Sequence, residues 1–87
     1  MTEVKKRIDE MVSELKQERD ELRVKVHLAK LEAGDEWKKL EVKLAKLEAK
    51  ARELASATAE MSQDIGAAAK LLGEEIRDGF KKLAGRL

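Results

Sequence analysis

The apolar residues of this chain recur every three or four positions over most of its length, and the residues between them are mostly charged or Ala. This spacing places the apolar side chains on one face of an α-helix that packs against other helices. We therefore predict an all-α fold, either one long helix or a helical hairpin with a break near Gly34, which forms a coiled-coil homo-oligomer. The longest series spans five heptads: Trp37, Leu40, Leu44, Leu47, Ala51, Leu54, Thr58, Met61, Ile65, Ala68 and Leu72.

The composition supports a single helical unit. The chain has 87 residues with no Pro, Cys or Tyr, one Trp and one Phe, and 43% of its residues are charged. Abundant Lys, Glu, Ala and Leu are typical of long helices and coiled coils, whereas a globular core of ordinary density needs more aromatic residues. We predict one coiled-coil unit over residues 1–87, divided into an N-terminal helix segment (1–33), a heptad seam (35–63) and an amphipathic tail (64–87).

The distribution of charged and apolar residues argues against nucleic-acid binding, secretion and insertion in a membrane. Lys plus Arg number 19 and Asp plus Glu 18, and the two signs are mixed along the chain, so no basic face for nucleic acid is expected. The N-terminal residues have no apolar core of a signal peptide. The longest run of apolar or Gly residues is 65–69, which is too short to span a bilayer. We therefore predict a cytoplasmic protein.

The heptad positions predict the surface between copies. Two pairs of charged residues flank it, Lys43 with Glu48 and Glu14 with Arg19, and both would attract across a parallel homodimer. The predicted oligomer interface consists of the large residues in the heptad columns: Ile8, Leu15, Leu22, Trp37, Leu40, Leu44, Leu47, Leu54, Met61, Ile65 and Leu72.

Two stretches are candidate breaks in the helix. A phase change in the apolar spacing over residues 26–36 contains Gly34, followed by Asp35 as a possible N-cap. A lone Gly without Pro makes a poor loop between antiparallel helices, so the pattern favours a continuous helix there. Residues 55–62 are the weakest helix formers, yet the heptad runs through them, which again favours continuity.

The tail has a different period. Its apolar residues repeat every eleven positions, which makes a straight apolar stripe, and four glycines weaken the helix, so we expect the tail to order only against something else. Its acidic residues nearly cancel its basic ones, which weakens attraction to anionic lipid. The Ala-rich face of 55–69 suits either a tight contact within the oligomer or a partner surface. The residues predicted to contact a partner or a lipid surface are Ile76, Phe80, Leu83 and Leu87.

No set of residues predicts catalysis. His27 is the only histidine and falls on the exposed side of the helix, with no Glu three positions before it, as a di-iron bundle requires. There is no Cys, no zinc spacing and no Gly-rich phosphate loop. Trp37 is either a binding hot spot or, as the spacing favours, a core residue that fills the space beside Ala33. We therefore predict no enzyme activity, no cofactor and no metal.

Two stretches resemble a known family. These are residues 20–37, DELRVKVHLAKLEAGDEW, and residues 64–80, DIGAAAKLLGEEIRDGF. They resemble small bacterial coiled-coil proteins from cyanobacteria and proteobacteria that are labelled stress-response proteins. The resemblance implies an intracellular helical protein with a role in stress, no established activity and no catalytic residues.

Two functions follow as hypotheses. The first is a non-enzymatic module for self-association or for binding a protein partner, possibly under stress. The alternative is a peripheral membrane protein that docks the amphipathic helix of residues 64–87 on lipid.

Overall fold

The computed structural model describes residues 2–87 and has three helices: α1 (Thr2–Leu28), α2 (Gly34–Leu54) and α3 (Ala59–Gly85). The prediction of an all-α fold is confirmed for this part of the chain. The predictions of one long helix and of a two-helix hairpin are wrong, because the chain turns back twice. The three helices pack side by side into a bundle of 45 × 18 × 16 Å.

The helices follow an up-down-up order. Val4 lies against Gly66 and Met11 against Gly73, so α1 and α3 run parallel with a constant offset along the sequence. Lys43 of α2 forms an ion pair with Glu75 of α3, and Glu36 forms one with Arg86 at the opposite end. This register makes α2 antiparallel to α3, and therefore also to α1.

The first turn is a Schellman motif built around Lys30. The Lys30 N–H donates to the carbonyl of His27 at 3.1 Å, and the Leu31 N–H donates to the carbonyl of Val26, also at 3.1 Å. These two bonds satisfy carbonyls that the end of α1 would leave unpaired. Lys30 has a φ of 53°, the left-handed conformation for which Gly is the usual residue. The predicted hinge residue, Gly34, instead begins α2.

The second turn lies where the heptad pattern predicted a continuous helix. Residues 55–58 separate α2 from α3, and Thr58 is the N-cap of α3. Its Oγ1 accepts a hydrogen bond from the Met61 N–H at 3.3 Å, which satisfies one of the free amides of the first turn. The predicted limit between seam and tail, residues 63 and 64, therefore falls inside α3.

The core runs along the axis between the three helices. All three contribute, and the most completely buried large side chains are Leu15 on α1, Leu44 and Leu47 on α2, and Ile76 and Leu83 on α3. Each helix presents one apolar stripe to this axis, as its 3–4 spacing requires. The three stripes meet inside one chain, so the fold does not need a second chain to bury them.

Candidate interaction surface

The structure places most of the predicted oligomer interface inside this core. Seven of its residues are buried: Ile8, Leu15, Leu22, Leu40, Leu44, Leu47 and Leu54. Trp37, Ile65 and Leu72 are partly buried and pack against the same cluster, whereas Met61 is exposed. The seam predicted between copies is thus a contact between helices of one chain, and only Met61 remains fully available at the surface.

The charges predicted to pair across a dimer pair within the chain instead. Glu48 of α2 forms an ion pair with Lys16 of α1, with 3.2 Å between the carboxylate oxygen and Nζ. Lys43 of α2 forms one with Glu75 of α3 at 3.3 Å. Glu14 of α1 pairs with Arg77 of α3 at 3.4 Å, and Arg19 pairs with the adjacent Asp20. Lys43, Glu48 and Glu14 thus each pair with a neighbouring helix of the same chain, whereas Arg19 pairs within α1.

The predicted lipid-contact residues are also mostly buried. Ile76, Phe80 and Leu83 have relative exposures of 0%, 4% and 1%. Only Leu87, past the end of α3, is exposed. In this fold, α3 therefore presents its eleven-residue stripe to α1 and α2 rather than to a bilayer, which is a correction to the predicted contact surface. Among the described residues, none of the helices has the length and apolar character needed to cross a membrane.

Trp37 and His27 occupy the positions that the helical spacing favoured. Trp37 is half-buried, its ring lies 6.0 Å from that of Phe80, and its Nε1 donates to Glu41 Oε1 at 2.9 Å. A pair of tilted aromatic rings at this distance is a favourable core contact. This confirms the interpretation of Trp37 as a core residue. His27 is exposed near the end of α1, as predicted.

The N-terminal half of α3 carries the most apolar exposed surface of that helix. Met61 is 53% exposed and Leu71 is 59% exposed. Residues 65–69, which lie between them in the sequence, are all uncharged. Ile65, Ala68 and Leu72 follow Met61 at steps of four, three and four, and all three are only partly buried. We refer to the five residues Met61, Ile65, Ala68, Leu71 and Leu72 as the α3 surface.

A separate cleft of about 440 Å³ lies between the N-terminal halves of α1 and α3. Its apolar lining includes Val4 and Met11 from α1 and Gly66 and Ala67 from α3, and its charged residues are Arg7 and Lys70. Val4 packs directly on Gly66, which has no side chain, and the exposed residues Arg7, Gln63, Ala67 and Lys70 line the cleft beside this contact. We refer to this cleft as the α1–α3 cleft.

The described residues contain no cluster of three or more His, Asp and Glu side chains that could hold a metal ion. The same residues also leave no buried side-chain nitrogen or oxygen without a hydrogen-bond partner.

Comparison of the chain with models of protein families, with curated proteins and with solved structures finds no match. The resemblance to bacterial stress-response proteins therefore remains a prediction.

Reasoning from the sequence located part of the α3 surface and missed the cleft. The uncharged run 65–69 belongs to the Ala-rich face of 55–69, which the sequence predicts to be either a tight contact within an oligomer or a partner surface. The cleft was not foreseen, because it needs α1 and α3 to be neighbours with Val4 beside Gly66. One sequence signal could have suggested this contact: the seven-residue spacing of Gly66 and Gly73 matches that of Val4 and Met11.

Proposed function

We propose that the protein is a non-enzymatic helical binding module that associates with a second copy of itself through the α3 surface. The observation that carries the proposal is the exposure of Met61 and Leu71 beside the uncharged run 65–69, in a chain that is 43% charged. Apolar surface left in water costs about 25 cal/mol per Å², so covering it stabilises a complex.

The small residue of the α3 surface favours another helix as the occupant. Ala68 projects little from α3, so the backbone of a second helix can approach closely. The stripe Met61, Ile65, Ala68 and Leu72 has the 4-3-4 spacing with which helices pack. The same stripe on a second copy supplies a matching surface. Because few large side chains are exposed, we expect this association to be weak and dependent on concentration.

Sedimentation velocity over a range of protein concentrations tests this proposal. The wild-type chain should show a sedimentation coefficient that rises with concentration, and Leu71→Lys should remain monomeric. Val42→Lys is the matched control, because Val42 is exposed to a similar degree (55%) but lies on α2, away from the α3 surface. A wild-type monomer at every concentration, or equal effects of both substitutions, would contradict self-association through α3.

Docking on lipid is the second candidate function. The observation in its favour is that the stripe Ile65, Ala69, Leu72, Ile76, Phe80 and Leu83 of α3 contains no charged residue. Because Ile76, Phe80 and Leu83 are buried, α3 would have to leave the bundle before these side chains could reach acyl chains.

A reversible crosslink between α1 and α3 tests the lipid function. A Cβ built at Gly73 would lie 3.3 Å from Met11 Cγ, so the double variant Met11→Cys, Gly73→Cys places two thiols within bonding reach. Lipid docking predicts that the reduced form floats with anionic vesicles and that the oxidised form does not. Equal flotation of both forms, or of neither, would contradict a mechanism in which α3 leaves the bundle.

The cellular setting belongs to the same proposal. We place the module in the cytoplasm, and its involvement in stress is supported by the resemblance described above. Comparison of the protein's abundance in stressed and unstressed cells tests the second point, and an unchanged level would contradict it.

A further inference from the structure

The α1–α3 cleft differs from the α3 surface in shape and in charge. Its volume of about 440 Å³ lies within the range of small-molecule sites, which commonly occur between the helices of bundles. Val4 and Met11 of α1 and Gly66 and Ala67 of α3 contribute apolar lining, and Val4 packs directly on Gly66. This lining is mostly apolar, so the cleft can remove part of an apolar ligand from water.

The cleft is short. The Met11 side chain lies over Gly73, and just beyond it the ion pair between Glu14 and Arg77 joins α1 to α3. The three apolar residues contributed by α1, Val4, Ile8 and Met11, span seven positions, which is about 10 Å along a helix at 1.5 Å per residue. A partner helix laid along the groove would have to cross the ion pair, whereas a short flexible chain fits beside Val4 and Met11.

The charged residues of the cleft are all basic. Arg7 and Lys70 line it, and no acidic residue does. Neither of them forms an ion pair with another described residue, although Glu3 and Glu10 are neighbours of Arg7 on the same helix. Long basic side chains can cover apolar surface with their methylene groups while the charged end stays at the rim. The cleft thus combines an apolar lining with two unpaired positive charges.

We propose that the α1–α3 cleft binds a single-chain anionic amphiphile of the fatty-acid class. The acyl chain lies against Val4, Met11 and Gly66, and the carboxylate sits between the Arg7 guanidinium and the Lys70 ammonium. The two components act together, because burial of the chain supplies the affinity and the basic residues select the anionic head group. This ligand site goes beyond the proposed self-association and does not depend on it.

The methyl groups of methionine provide a direct reporter. Met11 lines the cleft, whereas Met61 is exposed on α3 and does not line it, so Met61 serves as an internal control in the same spectrum. NMR spectra of protein labelled with carbon-13 at the Met methyls are recorded during titration with decanoate, below the concentration at which decanoate aggregates. Decanol and decyltrimethylammonium carry the same chain with a neutral and a cationic head group.

We expect decanoate to shift the Met11 methyl resonance saturably and to leave that of Met61 nearly unchanged. Decanol should bind more weakly, and decyltrimethylammonium more weakly still. Arg7→Gln and Lys70→Gln should each weaken decanoate binding by about two- to fivefold, the range for an exposed ion pair. Lys6→Gln is the matched control, because Lys6 is an exposed neighbour of Arg7 that does not line the cleft.

Three results would overturn the proposal. An absence of any saturable shift at Met11 would show that the cleft does not bind the chain. Equal binding of the anionic, neutral and cationic amphiphiles, or equal effects of Lys6→Gln and Lys70→Gln, would show that the basic residues play no part. A shift at Met11 caused by an acidic amphipathic peptide but not by decanoate would identify the cleft as a protein-binding groove instead.

Discussion

The two halves of α3 have the same apolar spacing and different surroundings. In the C-terminal half, Ile76, Phe80 and Leu83 are buried between the other helices. In the N-terminal half, Ala69 of the same stripe is also buried, but Met61 and Leu71, which lie off the stripe, are exposed, and the α1–α3 cleft lies beside α1. The comparison teaches that the apolar residues of one helix become core or remain exposed according to whether another helix covers them.

The limits of α2 explain part of this difference. The ion pair between Lys43 and Glu75 reports the antiparallel register of α2 and α3. By this register, the last residue of α2, Leu54, lies opposite Asp64, so the first turn of α3 extends past the end of α2. The C-terminal half of α3 lies beside α2 along its whole length, whereas the first turn of the N-terminal half does not.

The largest expected effect is at Phe80. Phe80→Ala removes a buried ring that packs on Trp37 and should lower the free energy of unfolding by about 3–5 kcal/mol. Leu71→Ala, in the exposed half of α3, should change it by less than about 0.5 kcal/mol. Urea denaturation followed by circular dichroism measures both values. Equal losses would show that the two halves are packed alike.

The glycines give a second test of the closely packed half. An added Cβ at Gly79 would overlap the Leu40 side chain, which is buried and has little room to move. We expect Gly79→Ala to cost about 1–3 kcal/mol from overpacking, partly offset by about 1 kcal/mol of helix propensity. Gly34→Ala, with no atom within 4 Å of its added methyl, should stabilise by about 0.4–1 kcal/mol. Thermal melts of both variants show whether each substitution raises or lowers stability. Stabilisation by Gly79→Ala would contradict the close contact with α2.

Substitution of Thr58 tests how much the N-cap stabilises the N-terminal half of α3. Thr58→Ala removes the hydrogen bond to the Met61 N–H and should cost about 1 kcal/mol, whereas Thr58→Ser keeps the hydroxyl and most of the stability. Amide hydrogen exchange should show faster exchange in the first turns of α3 than around Phe80. A uniform loss of protection along α3 would mean that its two halves open together.

Lys30 is a second residue, besides Gly34, at which a substitution should stabilise the fold. Lys30→Gly relieves a left-handed conformation at a φ of 53° and should raise the free energy of unfolding by about 1 kcal/mol. Ala29→Gly in the same turn is the control, and it should destabilise because Ala29 has no positive φ to relieve. Chemical denaturation distinguishes the two, and a loss of stability in Lys30→Gly would contradict the Schellman turn.

The positions of the turns could be predicted only in part. Both regions that break the helix were identified as weak points, around Gly34 and over residues 55–62, and both were then judged to be continuous. The Lys30 turn was hidden because Lys replaces the Gly that usually marks such a motif. The Thr58 cap was hidden because Thr58 also occupies a position in the heptad series.

The candidate sites divide in a similar way. The uncharged run of α3 is visible in the sequence, because it depends only on neighbouring residues. The α1–α3 cleft joins Arg7 and Lys70, which are more than 60 positions apart, so no local pattern could bring them together.

The sequence alone determined that this chain is helical and which face of each segment is apolar, because a 3–4 spacing depends on residues within one or two turns. Only the tertiary structure decided that Leu15, Leu44 and Ile76 meet inside one chain. A heptad stripe packs equally well against a helix of the same chain or of another. Short turns at Lys30 and Thr58 bring the three stripes together at a small cost in loop entropy, and this favours folding within the chain.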